Sequence, residues 1–286
     1  MTSASTRYFG KIFDDVASEY DRNRPGYSTE LIDRACEVAK LEQGDEVLEL
    51  GCGSGQLTRA LVTRGFHVTA VEPGEKLITL AKQNVEGIGT VEFVNARFED
   101  TDLPKGRYKA IFSASAFHWI VPDISWQKTA DLLAAGGVLA LLQYFGLKEE
   151  RTARDLRAQL AAMKKVSPAI AASWPQYYEL DEIIAGVEKR RENISEVWDW
   201  LGNYDLARSS AGHLFNDVQI AAVPKLIEHT PDELIAILRT TSPYSRLSPQ
   251  QREDLEHEYD EMYKEFGRSI RSSIVTILIT AQAQHA

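Results

Sequence analysis

The sequence has few of the features that mark secreted, membrane-spanning or nucleic-acid-binding proteins. Its 286 residues include two cysteines, too few for a disulfide framework, so a reduced, cytoplasmic protein is expected. No apolar run approaches the roughly 18–20 residues that a membrane span needs, and no signal peptide is expected because no apolar core follows Arg7. The 42 acidic side chains outnumber the 32 basic ones and give a net charge of −10. This balance argues against nucleic-acid and membrane partners.

Several catalytic signatures are missing as well. The six histidines form no pair with metal-ligand spacing, so no metal site is expected. There is no G-x-S-x-G elbow, which leaves a Ser/His hydrolase without support, and no phosphate loop of the G-x-x-x-x-G-K-[ST] type. The composition, 44% hydrophobic and 26% charged, is typical of an ordinary globular enzyme.

Strand-like and helical patterns alternate through the first half of the chain. Strands are predicted at 46–50, 68–71, 91–94, 110–113 and 137–143, with helices at 56–64 and 75–84. Alternation at this spacing predicts right-handed βαβ crossovers. The expected fold class is α/β, a Rossmann-like, doubly wound and mostly parallel sheet with helices on both faces.

The rhythm changes near residue 147. From about 147 to 214 the apolar residues recur at helical spacing, which predicts a helical insertion after the fifth strand. The motifs Thr230-Pro-Asp-Glu233 and Ser248-Pro-Gln-Gln251 each predict a helix start with a capping box. Extended segments at 218–227 and 274–280 bring the expected number of strands to seven. The predicted regions are a core at 1–146, the insertion at 147–214, and a return to the core at 215–286.

The densest chemical signal is a glycine loop between the first strand and the helix after it. The run Glu49-Leu-Gly-Cys-Gly-Ser-Gly55 places glycines where bare backbone can adopt unusual angles and approach a ligand closely. Glu72 stands at the end of the second strand, 21 residues after Gly51, where an acid accepts hydrogen bonds from ribose hydroxyls. The two features together predict a nucleoside-binding βαβ unit.

The spacing of the glycines separates two classes of nucleoside cofactor. The dinucleotide fingerprint is G-x-G-x-x-G, whereas here Gln56 occupies the position of its third glycine. Glu49 precedes the first glycine by two residues, and a cofactor that carries an amino acid and a sulfonium has a use for that carboxylate. The glycine spacing therefore favours a cofactor with an amino acid and a sulfonium over a dinucleotide, and an NAD-dependent oxidoreductase is the weaker alternative.

These motifs resemble those of class I S-adenosylmethionine-dependent methyltransferases of the small-molecule type. The resemblance covers residues 13–145 and, more loosely, the last two strands. It implies S-adenosylmethionine as the cofactor and a small-molecule acceptor, and we expect a monomer or a homodimer. Its further pieces are Phe13-Asp-Asp-Val-Ala-Ser-Glu-Tyr20 with Arg24, Val71-Glu-Pro73, Asn95-Ala-Arg-Phe-Glu-Asp100 and Ser113-Ala-Ser-Ala-Phe-His-Trp119.

The resemblance implies a role for each motif in binding the cofactor. The glycine loop would pack on the methionine part, Glu72 would hold the ribose, and residues 96–98 would cradle adenine beneath an N-terminal lid helix. The family often has an acid where this chain has Arg97, so backbone groups or Phe98 are the alternative adenine contacts. The residues predicted to bind the cofactor are Tyr20, Arg24, Glu49, Gly51, Gly53, Gly55, Glu72, Pro73, Ala96, Arg97, Phe98 and Ser113.

The acceptor site is predicted after the fourth strand, where open α/β folds bind ligands. His118 is the candidate catalytic residue, as a proton acceptor or an acceptor-orienting group, and its alternative is a structural role in shaping the pocket with Phe117 and Trp119. Trp174 and Trp198 of the insertion form either the lobe core or an aromatic wall over the acceptor.

The same position favours a small acceptor. Family members that methylate nucleic acid or protein amides carry an Asn/Asp-Pro-Pro-aromatic motif where this chain has the run ending in His118-Trp119. An apolar, aromatic-lined site suggests a planar or lipophilic metabolite, as in natural-product biosynthesis. A non-catalytic cofactor-binding protein would keep the same glycine loop and is the main alternative function.

Overall fold

The computed structural model describes residues 12–23, 26–172, 176–202 and 211–284. Within these ranges one sheet of seven strands forms the centre of the molecule. The strands are β1 (Glu46–Leu50), β2 (His67–Val71), β3 (Val91–Val94), β4 (Tyr108–Ala114), β5 (Leu133–Gly146), β6 (Phe215–His229) and β7 (Ile270–Ala283). Each predicted strand is present, and the last three extend several residues beyond their predicted bounds.

Helices precede the sheet, connect its strands and form the insertion. Those of the first half are α1 (Ile12–Asp15), α2 (Ala17–Asn23), α3 (Thr29–Val38), α4 (Gln56–Thr63), α5 (Glu75–Asn84) and α6 (Pro122–Leu132). Those after β5 are α7 (Ala153–Val166), α8 (Pro168–Ala171), α9 (Leu180–Glu188), α10 (Ile194–Gly202), α11 (Pro231–Arg239), α12 (Ser242–Ser245) and α13 (Pro249–Phe266). Across the described ranges, no helix has the length and apolar character to cross a membrane.

Two helix starts predicted from capping motifs are confirmed. The Thr230 hydroxyl accepts a hydrogen bond from the backbone N–H of Glu233 (3.3 Å), and the Glu233 carboxylate accepts one from the Thr230 N–H (2.8 Å). Ser248 and Gln251 make the same reciprocal pair at 3.2 and 3.0 Å. Each pair satisfies backbone donors that the first turn of a helix leaves free.

The strand order confirms the doubly wound fold. It runs β3-β2-β1-β4-β5-β7-β6, with parallel pairing from β3 through β5 and antiparallel pairing of β7 with both β5 and β6. The order reverses between β1 and β4. Because ligands of open α/β sheets bind at the carboxyl ends of the strands beside such a reversal, the fold places a site there.

Both faces of the sheet are buried. Leu48, Ile111 and Leu139 belong to one apolar cluster, and their chain neighbours Val47, Ala110 and Val138 belong to the other. Successive side chains of a strand point to opposite faces, so each strand contributes to two cores. This explains why the central strands read as continuous apolar runs.

The helices outside the core divide into two groups. α7 and α8 pack on α11–α13 in a third apolar cluster that includes Met163, Leu238 and Tyr259. α9 and α10 instead bury Ile183 and Trp198 in the cluster on one face of the sheet. The region boundaries 1–146, 147–214 and 215–286 stay predictions.

Candidate functional site

The glycine loop runs from β1 to α4 at the point where the strand order reverses. Gly51, Gly53 and Gly55 have positive φ angles of 72°, 55° and 87°, a region that L side chains rarely adopt. A Cβ on Gly51 would lie 2.3 Å from the Cβ of Ala116, and one on Gly55 would lie 3.0 Å from the Cα of Ala81. The loop is therefore packed between the segment after β4 and helix α5, and it exposes backbone rather than side chains.

Glu72, predicted to hold a ribose, lies beside this loop at the end of β2. Its carboxylate accepts hydrogen bonds from the N–H of Gly53 (3.0 Å) and the N–H of Gly74 (2.8 Å), and 5% of the residue is exposed. Burial raises its pKa to about 7; the two backbone hydrogen bonds oppose this rise and the charge of Asp14 adds to it. The structure thus brings together the two motifs that the sequence singled out.

Glu49 is the second buried acid at this end of the sheet. It is 1% exposed, and its carboxylate accepts a hydrogen bond from the Thr58 hydroxyl of α4 (2.6 Å). Burial raises its pKa to about 7, and the charge of Glu72 contributes to the rise. Cys52 lies between the two acids in sequence, and burial keeps the pKa of its thiol well above the ordinary value. The thiol is therefore protonated, as expected of a small packing residue rather than a nucleophile.

Two buried hydroxyls at the edges of the loop are additional candidates that the motifs do not single out. In the described part of the chain, the Oγ atoms of Ser54 and Ser115 are buried without a hydrogen-bond partner. Ser115 also has a left-handed backbone, with a φ of 55°. An unsatisfied buried hydroxyl and a strained backbone both cost free energy and gather at binding sites. Ser54 lies inside the glycine motif, but no sequence pattern predicts where its hydroxyl points.

The segment after β3, predicted to face adenine, is fixed by contacts beneath it. The Phe98 ring is buried, with the Lys128 ammonium 4.9 Å from its centroid. Lys128 also donates hydrogen bonds to the carbonyls of Phe98 (2.6 Å) and Thr101 (2.5 Å). Arg97 forms an ion pair with Glu99 at 2.7 Å. With these side chains engaged elsewhere, the backbone at Ala96 and Arg97 is the better candidate surface for a base.

The N-terminal helices contact the same end of the sheet. The Asp14 carboxylate accepts hydrogen bonds from the N–H groups of residues 76 and 77 (2.7 and 3.1 Å), at the start of α5. The Asn84 amide, at the end of α5, donates to the Asp21 carboxylate and to the Ser54 carbonyl, both at 2.9 Å. These bonds hold α1 and α2 against α5 and the glycine loop; that the two helices form a lid stays a prediction.

The end of β4 brings His118 and Trp119 to these helices. The rings of His118 and Trp119 are 4.9 Å apart, and the Trp119 ring lies 5.8 Å from that of Phe13 in α1. Desolvation lowers the pKa of the half-buried His118 to about 3, so its imidazole is neutral at pH 7. Phe117 is fully buried and packs on Trp126, with ring centroids 4.6 Å apart.

Other predicted site residues have different positions. The buried Ser113 hydroxyl donates to the Leu50 carbonyl (2.9 Å), and Trp198 is fully buried in an apolar cluster. Pro73 is half-buried beside Glu72. The roles of these residues in binding stay predictions. The side chain of Tyr20, together with Arg24 and Trp174, lies outside the described residues. Among the residues described, no three His, Cys, Asp or Glu side chains are grouped to hold a metal ion.

Sequence relatives carry the same class of domain. Residues 47–137 match a family model described as a methyltransferase domain. An uncharacterized methyltransferase of Mycobacterium tuberculosis is 31% identical over 153 residues, which cover 52% of this chain and 58% of that protein. Sphingolipid C9-methyltransferase 2 of Gibberella zeae is 30% identical over 203 residues, which cover 64% of this chain and 39% of that protein. The matches thus span less than two thirds of the length of these relatives.

Solved structures share the fold over nearly the whole chain. A SAM-dependent methyltransferase from Thiobacillus denitrificans, in complex with S-adenosyl-L-homocysteine, has a TM-score of 0.53 at 16% identity and covers 96% of this chain and 98% of its own. One from Geobacter sulfurreducens, in the same type of complex, has a TM-score of 0.51 at 17% identity and covers 93% and 96%. The match over residues 47–137 and the methyltransferase relatives confirm the resemblance drawn from the motifs, and the solved structures show that the chain shares the fold of S-adenosylmethionine-dependent methyltransferases.

Proposed function

We propose that this protein transfers a methyl group from S-adenosylmethionine to a nitrogen, oxygen or carbon atom of a small-molecule acceptor. The observation that carries the proposal is the contact between the Glu72 carboxylate and the Gly53 N–H at 3.0 Å. It sets a buried acid suited to ribose hydroxyls beside a loop of left-handed glycine backbone, at the end of the sheet where such folds bind ligands. The methyltransferase relatives support the same class of reaction.

The residues present fit the proposed cofactor. Glu72 would accept hydrogen bonds from the ribose hydroxyls, and the backbone at 96–97 would bound the adenine. The methionine part would pack against the glycine backbone, and Glu49 is buried at the end of β1 next to the loop. The buried hydroxyls of Ser54 and Ser115 supply donors for polar groups of an amino-acid moiety. We assign the lid role to α1 and α2, whose Asp14 and Asp21 carboxylates accept hydrogen bonds from α5 beside the glycine loop; Tyr20 and Arg24 stay predicted cofactor contacts.

When bound, the cofactor supplies a methyl group on a positively charged sulfur. An acceptor held opposite the sulfur would form its bond to the methyl carbon as the carbon–sulfur bond breaks, the electron pair would leave on sulfur, and any proton of the acceptor would pass to solvent. The protein contributes by holding the acceptor in line, since proximity can supply about 7–11 kcal/mol of the barrier. The N-terminal helices and the insertion at 147–214 would exclude water from the reacting groups.

His118 is proposed to orient the acceptor rather than to remove a proton from it. Its imidazole is neutral at pH 7 because desolvation lowers its pKa to about 3. A base with so low a pKa is a poor proton acceptor at neutral pH, whereas a neutral imidazole still forms hydrogen bonds. Trp119, half-buried beside His118, remains the proposed aromatic contact of a planar or lipophilic acceptor, as in natural-product biosynthesis. Phe117 and Trp198 are fully buried in the core, so we propose that they shape the acceptor site from behind.

The net charge of the chain bears on the class of acceptor. A net charge of −10 supports a small-molecule acceptor rather than nucleic acid or a membrane surface. We propose a cytoplasmic monomer or homodimer. Sedimentation velocity of the purified chain distinguishes the two assemblies, and a larger species would contradict both.

A transfer assay tests the proposal. The protein is incubated with methyl-labelled S-adenosylmethionine and a metabolite library, and a mass gain of about 14 Da on one member is expected for one methyl group. The Glu72→Ala variant is the control, because it removes the proposed ribose contact without changing the acceptor side. Cofactor binding without transfer to any member would favour a non-catalytic binding protein, and absence of cofactor binding would contradict the proposed class.

A further inference from the structure

A cavity of about 530 Å³ lies between the N-terminal helices and helices α11–α13. Phe13 and Val16 form an apolar part of its wall, and Thr241, Tyr244 and Arg252 face them from the C-terminal helices. The volume lies within the roughly 300–1,000 Å³ that small-molecule sites occupy. The cavity is therefore large enough for a metabolite and is lined on opposite sides by chemically different surfaces.

Two arginines line this cavity, and they differ in whether a carboxylate neutralises their charge. Arg239 forms an ion pair with Glu256 at 2.7 Å, and Glu256 also accepts a hydrogen bond from the Tyr244 hydroxyl at 2.8 Å. Arg252 donates through Nη2 to the Ser245 carbonyl (3.0 Å), but within the described ranges it pairs with no carboxylate. Arg252 is thus the guanidinium whose charge is left for another partner.

The Nε atom of Arg252 supports this conclusion independently. It is buried and makes no hydrogen bond to any described residue. The guanidinium lies over the Tyr244 ring, 5.3 Å from its centroid, a contact that orients the group. Leaving a charged group with unsatisfied donors is costly, and an oxyanion in the cavity that accepts from the terminal nitrogens of this guanidinium would offset part of that cost.

Ring contacts link the wall of the cavity to the segment after β4. Phe13, which forms part of its wall, contacts Trp119 at 5.8 Å between ring centroids, and Trp119 in turn lies 4.9 Å from His118. The acidic residue in the lining is Glu19 of α2, which forms no ion pair with Arg252. An anionic group is therefore expected at the Arg252 side of the cavity, away from Glu19.

We propose that this cavity binds the methyl acceptor and that Arg252 binds an oxyanion of that acceptor, either a carboxylate or a phosphate. Phe13, Val16 and Tyr244 would cover the apolar part of the same molecule. The inference rests on the proposed methyltransferase function and narrows its substrate class to small molecules that combine an apolar body with an anionic group.

The test uses matched charged and uncharged probes with the protein saturated with S-adenosylhomocysteine. Calorimetric titrations compare benzoate, indole-3-acetate and octanoate with their methyl esters, and phenyl phosphate with phenol. At least one anion is expected to bind at least about tenfold more tightly than its uncharged partner. A hydrogen-bonded charge is worth a factor of about 10 to 150, so Arg252→Gln should weaken that binding by this amount. The carboxylate and phosphate arms show which oxyanion is preferred.

Matched variants keep the result interpretable. Arg246→Gln changes an exposed arginine that does not line the cavity and should leave probe affinity unchanged, and Arg252→Lys should restore part of the loss. All variants should bind S-adenosylhomocysteine like the wild type. Equal affinity for charged and uncharged probes, no effect of Arg252→Gln, or no binding of any probe would overturn the inference. If the wild-type protein does not bind S-adenosylhomocysteine, that result would instead contradict the proposed function.

Discussion

The carboxyl ends of β1 and β2 and the cavity at Arg252 are built in different ways. At the first, a short stretch of chain supplies the glycine loop and Glu72, and backbone groups make the decisive contacts. At the second, helices from opposite ends of the chain meet, and side chains alone determine the character of the wall. The first site depends on local backbone geometry, which a motif can specify. The second depends on tertiary packing, so it can change between related proteins while the first stays the same.

This contrast predicts that damage to the helical side will alter stability before it alters cofactor binding. Trp198 is fully buried in the apolar cluster on one face of the sheet, and replacing a buried tryptophan by alanine typically costs about 3–5 kcal/mol. Trp198→Ala should lose that much free energy of unfolding in urea titrations. The milder Trp198→Phe should leave both cofactor and acceptor affinity within a few-fold, because Trp198 is buried outside the cavity at Arg252. An equal loss for both ligands would mean that the two regions are not separable.

Changes in the glycine loop are expected to weaken cofactor binding directly. Gly51→Ala places a side chain at a φ of 72° and 2.3 Å from the Ala116 Cβ. The left-handed backbone costs about 1–2 kcal/mol and the overlap about 1–3 kcal/mol more, and the loop must shift to relieve them. We expect severe loss of S-adenosylhomocysteine binding in calorimetry together with reduced stability in thermal unfolding.

Gly106→Ala is the matched control for this change. Its φ is 65°, but no heavy atom lies within 4 Å of an added Cβ. It should show the cost of the left-handed backbone alone and keep normal cofactor affinity. If Gly51→Ala binds as well as Gly106→Ala, the loop is merely a turn. The harsher Gly53→Val extends the same test to the glycine that bonds Glu72.

Removal of the Glu72 carboxylate should have the next largest effect. A hydrogen bond to a charged group is worth about 1.5–3 kcal/mol, so Glu72→Ala should weaken S-adenosylhomocysteine binding about 10- to 150-fold in calorimetry. Glu75→Ala, which removes an exposed acid three residues later, should have no measurable effect. Unchanged affinity in a folded Glu72→Ala protein would remove the ribose assignment.

The buried acid also predicts a pH dependence of opposite sign for stability and for binding. Burial raises the pKa of Glu72 from 4.5 to about 7, so the folded state holds this proton more tightly than the unfolded state. Its contribution to stability is present below about pH 4.5 and is lost as the pH rises through about 7. Binding should strengthen over the same range, because the ionised carboxylate is the better acceptor for ribose hydroxyls.

Titrations between pH 5 and 8 of the wild type and Glu72→Gln test this linkage. In the variant, both stability and cofactor binding should depend less on pH. Some pH dependence should remain, because burial also raises the pKa of Glu49 to about 7. Identical profiles for the two proteins would show that Glu72 does not titrate in this range.

The smallest effect is expected at His118. A hydrogen bond between neutral groups is worth about 0.5–1.5 kcal/mol, so His118→Asn should reduce turnover only about 2- to 13-fold. The pH–rate profile should show no limb from this residue between pH 5 and 8, because its pKa is held near 3. A loss of 10²–10⁴-fold, together with the disappearance of an acidic limb, would instead identify a general base.

Local sequence patterns predict much of the fold, and the elements whose bounds they miss have a common cause. The predicted bounds of β1, α5 and β3 agree with the structure because each is delimited by turn residues nearby. β6 and β7 extend further than their apolar runs, since they pair over thirteen residues each and the edge strand carries charged residues such as Lys225 and Glu228. Antiparallel pairing at an edge depends on the partner strand, not on local hydrophobicity.

The candidate site shows the same division. The glycine loop and Glu72 follow from residue types at fixed offsets, because a turn and a strand end impose those offsets. The capping of α5 by Asp14 joins residues about sixty positions apart, and the unpaired charge of Arg252 depends on which carboxylates its helix meets. Neither has a local sequence pattern that would predict it.

Calorimetric titration of the wild-type protein with S-adenosylhomocysteine, beside a parallel titration with NADH, tests the central claim most directly. The loop geometry and the proposed ribose contact of Glu72 predict saturable binding of S-adenosylhomocysteine with one molecule per chain. They predict no binding of NADH, because the dinucleotide fingerprint lacks its third glycine here. Saturable binding of NADH without binding of S-adenosylhomocysteine would contradict the account.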